Sequence, residues 1–232
     1  MKNKLKGIIF YSKIVKDNDL YIKVLSSNDE VLSGMVYGGN SSKKKIIYQN
    51  GYFIDFSLSQ KNQNAPPIFL AEISKPYMGV IFEDKYKLNA LLSIISLINI
   101  SILEGQKIKG FYYGIENLIV NIINRKYWIV IYCEWLFYLL KLIGYQIDYN
   151  NNSEKKFYDI VKQDFLYESN FNTVEFPYNL FSTNQEITFR NINSIFIIFE
   201  SNFLKNHLDN INYKMPSNFL RFKKIILNKL IS

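Results

Sequence analysis

The sequence predicts an α+β chain in which a small five-stranded barrel is followed by an all-helical domain. Over the first 77 residues, apolar and polar residues alternate in five short runs. Beyond Pro76 the apolar period lengthens towards 3.6. A length of 232 residues with 48% hydrophobic content is enough to bury its core without a disulfide or metal staple.

The runs Gly7–Val15, Asp19–Ser27, Glu30–Gly38, Tyr52–Gln60 and Ile68–Tyr77 each read as a strand. Asn28-Asp29-Glu30 supplies a tight turn between the second and third. Gly38-Gly39-Asn40-Ser41-Ser42 opens a longer, flexible connection through Lys43-Lys44-Lys45, and Gln60–Pro67 is a polar loop. Five strands with one long connection after the third predict a closed oligonucleotide/oligosaccharide-binding (OB) barrel, with an SH3-like barrel as the rival.

A helix begins near Asp84 and presents Leu88, Leu91, Leu92, Ile95, Ile98 and Ile102 on one face. A second carries Ile115, Leu118, Ile119, Ile122 and Ile123. A third carries Trp128, Ile131, Trp135, Tyr138, Leu139 and Leu142 and stops at Gly144. Tyr149–Phe176 has weak periodicity and reads largely as loop. Ile192–Leu208 is a fourth helix, and a last one follows Pro216. The division places the barrel in residues 1–78 and the helical domain in 79–232.

The net charge of +8 favours a polyanionic partner, either nucleic acid or an anionic membrane surface. Drift in base composition would spread the excess evenly, yet residues 1–77 hold 11 lysines against six acidic residues. The stretches Leu88–Leu103 and Tyr127–Ile143 are too short and too polar to span a bilayer, and no secretory signal is visible. The expectation is a soluble, cytoplasmic protein.

Cys133 is the only cysteine and His207 the only histidine, which excludes an intramolecular disulfide and any zinc site built from several such ligands. Cys133 lies in the most apolar helix and reads as a buried structural thiol. Asp29-Glu30 reads as a turn and Glu83-Asp84 as a helix start, and neither brings the ligand cluster of a metal-dependent nuclease. Gly38-Gly39 lacks the spacing of a phosphate-cradling loop. No enzymatic activity, cofactor or metal is expected. Binding has better support: Lys43, Lys44 and Lys45 beside small hydroxyls suit a phosphate backbone, and Tyr11, Tyr21, Tyr37, Tyr48, Tyr52, Phe53 and Phe56 supply aromatics, of which some are expected to stack bases and most to be core.

Taken in order, Gly7-Ile8-Ile9, Asp19-Leu20-Tyr21-Ile22, Val36-Tyr37-Gly38-Gly39-Asn40-Ser41-Ser42-Lys43 and Tyr48-Gln49-Asn50-Gly51 resemble the amino-terminal barrel of the RecO family of bacterial DNA repair and recombination mediators. Asn50 stands where proline is usual. Trp135–Tyr145 with Ile147-Asp148 is similar to the family helix that ends in Leu-Gly-Tyr, and Phe203–Leu208 with Met215-Pro216-Ser217 resembles its closing region. The resemblance implies binding of single- and double-stranded DNA, annealing of complementary strands, and loading of RecA together with RecR onto DNA coated by single-strand DNA-binding protein. It implies association with the nucleoid and no membrane partner.

DNA contacts are expected from Lys43, Lys44 and Lys45, and from Lys2, Lys4, Lys6, Lys13 and Lys23. The tail of single-strand DNA-binding protein is expected near Arg125, Lys126 and Lys141. Many family members carry zinc-binding cysteines after the Leu-Gly-Tyr helix, where this chain has Tyr149-Asn150-Asn151-Asn152-Ser153. Glu134-Trp135-Leu136 replaces the family's Arg-Phe-Glu. The alternative is a protein-interaction scaffold whose barrel has lost DNA binding.

Overall fold

Strand formation follows the predicted alternation to within about two residues at most ends. The computed structural model describes residues 4–182 and 186–231. Its first five strands are β1 (Leu5–Lys16), β2 (Asp19–Ser26), β3 (Val31–Val36), β4 (Phe53–Ser59) and β5 (Ile68–Lys75). They close into a barrel in the order β1-β2-β3-β5-β4. β1 pairs antiparallel with β4, and β3 meets β5 in parallel through Met35 and Ile68. This closure is the OB arrangement, which settles the choice against the SH3-like rival.

Inside the barrel lie Ile9, Leu20, Ile22, Val24, Val36, Ile54, Phe56 and Phe69, with Tyr48 from the long connection. The Tyr48 hydroxyl accepts from the Ala71 N–H at 3.1 Å, so this buried phenol is satisfied. Closure demands glycine at position 34. A Cβ there would sit 2.3 Å from the Pro67 carbonyl oxygen. That same oxygen accepts from the Met35 N–H at 2.8 Å.

Three helices follow: α1 (Tyr77–Phe82), α2 (Lys85–Ser101) and α3 (Phe111–Asn124). α2 starts where Asp84 accepts from the N–H groups of Tyr86 and Lys87 at 2.8 and 3.2 Å. It packs on β1. The β2–β3 turn is tied to the start of α3, since the Asp29 carboxylate accepts from the N–H groups of Gly110 and Tyr112 at 2.6 and 3.0 Å. The change from strand to helix falls at Pro76, but the compact unit runs on to Ile123, and a second unit covers Asn124–Ser232.

The second unit opens with α4 (Trp128–Leu142), which stops before Gly144 at φ +94°. The stretch read as loop forms a small sheet of β6 (Phe157–Asp159), β7 (Asp164–Leu166) and β8 (Thr173–Glu175), in the order β7-β6-β8. Three-residue strands are too short to show a period of two, which is why pattern reading missed them. α5 (Phe189–Phe203) is capped by Thr188 and continues as a π turn over Leu204–Leu208 into α6 (Asp209–Ile211). α7 (Ser217–Ile231) is last. The core of this unit is aromatic. Trp128, Tyr132, Phe196, Phe199, Phe219 and Phe222 are all buried, and the Tyr132 and Phe222 rings lie 4.6 Å apart. No helix among the described residues is long and apolar enough to cross a membrane.

Two side chains test this packing. Trp135 is buried, and its indole N–H has no acceptor among the described residues. Trp135→Ala is expected to cost about 3–5 kcal/mol. Trp135→Phe should cost far less, because it keeps a ring while removing an unpaired buried donor. Urea denaturation of both variants measures the difference.

Asp159 is buried and accepts from the N–H groups of Val161 and Lys162, each at 2.9 Å. The Lys162 N–H, with the Asn170 amide and the Val161 N–H, holds its carboxyl below the usual aspartate value. A depressed carboxyl contributes stability above its unfolded pKa and loses it as pH falls through the folded value. Asp159→Asn should therefore melt earlier than wild type at neutral pH. The gap should narrow on acidification below about pH 4, which is read by melting curves across that range.

Candidate nucleic-acid interface

β-Alternation sends Leu20, Ile22 and Val24 into the barrel and leaves Tyr21 and Lys23 on its outer side. On β1, a bulge between Ile9 and Tyr11 changes which residues face outward. Ile9 pairs with Val24 on the inside, but Tyr11 then pairs with Lys23 and Lys13 with Tyr21, both on the outside. Across β2 and β3, Tyr21 faces Met35 and Lys23 faces Ser33. One surface thus collects Tyr11, Lys13, Tyr21, Lys23, Ser33 and Met35.

The Tyr11 and Tyr21 rings meet edge to face at 6.3 Å, and the Lys23 ammonium lies 5.7 Å from the Tyr11 ring centre. The Tyr21 hydroxyl donates to the Glu104 carboxylate at 3.1 Å, and the Ser33 hydroxyl donates to the other Glu104 oxygen. Burial and the Glu104 charge both push the Tyr21 phenol up, so it keeps the proton it donates.

The lysine loop stands beside the β1–β2 turn. Gly38, at φ +62°, donates its N–H to the Asp19 carboxylate at 2.7 Å, and the Asn40 N–H donates to the Asn18 carbonyl at 2.8 Å. The Lys44 and Lys45 N–H groups both bond to the Ser41 carbonyl, at 3.0 and 2.9 Å. The connection expected to be flexible is therefore a pinned turn. Lys43, Lys44 and Lys45 are all exposed on it. The Lys44 ammonium folds back onto the Tyr37 carbonyl at 3.0 Å. Lys45 borders a cleft of about 460 Å³ whose apolar lining includes Ile14, Met78 and Phe82.

The other predicted positions lie elsewhere. Lys4 pairs with Glu72 at 2.5 Å, and that hydrogen-bonded partner holds its ammonium pKa up. Lys6 is opposite Asp55 across β1 and β4. Both sit among carboxylates, on the part of β1 before the bulge. Lys2 lies outside the described residues. Arg125 and Lys126 precede α4 and line a small cleft with Tyr127 and Ile131. Lys141 is in the last turn of α4, about 20 Å away along the helix, so the three are not brought together in one cleft.

The place of the family's zinc ligands does not fit zinc. Asp148 there is occupied by the Asn151 side chain at 2.7 Å, and the Tyr149 ring stacks on Phe176 and Phe181, each at 5.3 Å. No group of three histidine, cysteine, aspartate or glutamate residues converges among the described residues. Cys133 is fully buried, and burial pushes its thiol up, away from the reactive thiolate. Sequence reasoning missed the bulge and Glu104. Only the register of β1 and β2 reveals the first, and the second reaches the face from 71 residues beyond Ser33.

No family model matches the chain. It is 32% identical to the DNA repair protein RecO of Rickettsia canadensis over 163 residues, which is 70% of this chain and 65% of that protein. Identity to the DNA repair protein RecO of Rickettsia akari is 32% over 148 residues, or 64% of this chain and 62% of the relative. For the Rickettsia bellii protein of that name, the figures are 31% over 143 residues, 62% and 58%. The chain thus spans a little under two thirds of the length of these relatives. Those identities, joined to a barrel closed in the OB order and followed by helices, support the resemblance to the RecO family.

Proposed function

We propose that this protein is a non-enzymatic DNA repair and recombination mediator that works at the nucleoid. It binds single- and double-stranded DNA and anneals complementary strands. With RecR, it helps load RecA onto strands coated by single-strand DNA-binding protein. The observation that carries this reading is the outer face of β1, β2 and β3, where Tyr11 and Tyr21 stand between Lys13 and Lys23. Aromatic faces stack bases without regard to sequence, and lysines neutralise the phosphates on either side. The names of the Rickettsia relatives support the repair role.

Annealing requires screening the repulsion between two strands and makes or breaks no covalent bond. Exposed cations meet that need, and perturbed nucleophiles are not required. The small cleft at Arg125, Lys126, Tyr127 and Ile131 suits an acidic, apolar peptide end such as the tail of single-strand DNA-binding protein. DNA binding measured against salt, with strand annealing alongside, tests the whole reading. Absence of DNA binding at moderate salt would favour the scaffold alternative, and magnesium-dependent strand cleavage would overturn the non-enzymatic assignment.

Changing Lys43, Lys44 and Lys45 together to Glu should lower the salt slope for single strands by about 2, at about 0.7 per phosphate contact. The loss should be similar for unrelated sequences, since phosphate contacts do not read bases. Fluorescence anisotropy over a salt series measures it, with a melting curve to confirm the fold. Tyr11→Ala and Tyr21→Ala should each weaken single-strand binding by about 1–3 kcal/mol. Duplex binding should change much less, because paired bases are not free to stack on the face. Parallel titrations with a strand and its duplex check this.

A further inference from the structure

Glu104 places a fixed negative charge on a cationic face. Its carboxylate accepts from the hydroxyls of Tyr21 and Ser33. Among the described residues it has no ion-pair partner, although Lys23 is directly across from Ser33 in the register. The segment that delivers it is fastened to the barrel. The Gly105 N–H donates to the Val31 carbonyl at 3.1 Å, the Val31 N–H donates to the Gln106 carbonyl at 3.3 Å, and Lys107 bridges to Glu30. Glu104 is exposed, so it can meet a ligand on this face.

A carboxylate beside a phosphate track costs affinity by repulsion, so a strand lying here turns its phosphates towards Lys13, Lys23 and the lysine loop. Its bases then meet Tyr11, Tyr21 and Glu104. An ionised carboxylate has room for about four hydrogen bonds and donates none. Two are taken by hydroxyls, which leaves acceptor capacity for a base edge. Cytosine and adenine offer an exocyclic amino group there, whereas the one donor of thymine, its N3–H, lies between two carbonyl oxygens that repel a carboxylate.

We propose that Glu104 makes this face discriminate among bases, favouring single strands whose bases carry an exocyclic amino group over thymine-rich strands. This rests on the reading of the β1–β3 face as the DNA surface. The test uses the full chain, oligo-dC and oligo-dT of equal length, and slightly alkaline pH to keep cytosine neutral. Wild type should bind oligo-dC at least about tenfold more tightly than oligo-dT, the effect of one hydrogen bond to a charged acceptor.

Glu104→Ala should bring the ratio close to one. Tyr21→Phe removes a hydroxyl without changing charge and leaves Ser33 holding Glu104, so it should keep the preference. Equal wild-type affinities, or a ratio that survives Glu104→Ala, would overturn the proposal while leaving the DNA face in place. Loss of the preference in Tyr21→Phe would also overturn it, by showing that Glu104 only positions the ring. Failure of wild type to bind either oligomer would remove the DNA face and this proposal with it.

Discussion

The bulge between Ile9 and Tyr11 decides which half of β1 serves the core and which serves the surface. A plain strand would keep Ile9, Tyr11 and Lys13 on one side, because side chains repeat every two residues. That side is the barrel interior, and burying the Lys13 ammonium there unpaired would cost several kcal/mol. With one extra residue in β1, Ile9 stays inside while Tyr11 and Lys13 turn out opposite Lys23 and Tyr21. The stacking pair, the flanking cations and the reach of Glu104 to Tyr21 all depend on that single register shift.

Electrostatics sorts the lysines of the barrel into two sets. Before the bulge, Lys4 and Lys6 face Glu72 and Asp55, so that part of β1 is close to neutral. After it, Lys13 and Lys23 lie among tyrosines, and the turn carrying Lys43, Lys44 and Lys45 is pinned to the β1–β2 hairpin through Asp19 and Asn18. A composition count treats all these cations alike. Only the pairing of strands shows that the excess positive charge belongs to one end of the hairpin.

The five barrel strands and the larger helices were legible because each spans several repeats of its own period, as Leu20, Ile22 and Val24 do in β2. The Asp84 cap and the Gly144 stop were legible for chemical reasons local to those residues. What escaped was either too short or too distant. α1 has six residues, and the strands β6, β7 and β8 have three each, so no periodicity could mark them. The candidate interface was half legible: Lys13, Lys23, Tyr11 and Tyr21 were named from type alone, but the bulge that groups them and the carboxylate that joins them were not.

The region that follows α4 is held together by aromatic packing. A metal would fix short strands through a few strong bonds. Here many weak contacts do that work. Tyr149, Phe176 and Phe181 stack, and Phe165 and Tyr178 pack against Phe176 at 5.2 and 4.6 Å. Tyr178 donates its hydroxyl to the Asn152 carbonyl at 2.7 Å, while the buried Tyr158, pushed up to about 12 chiefly by desolvation, donates to Asn202 of α5 at 3.0 Å. Aromatic pairs contribute about 0.5–1.5 kcal/mol each beyond their buried area, so several together reach the scale of a structural staple. Such a cluster needs no particular redox state and no metal supply. The rings around the short sheet thus pack it from Tyr149 through Phe181.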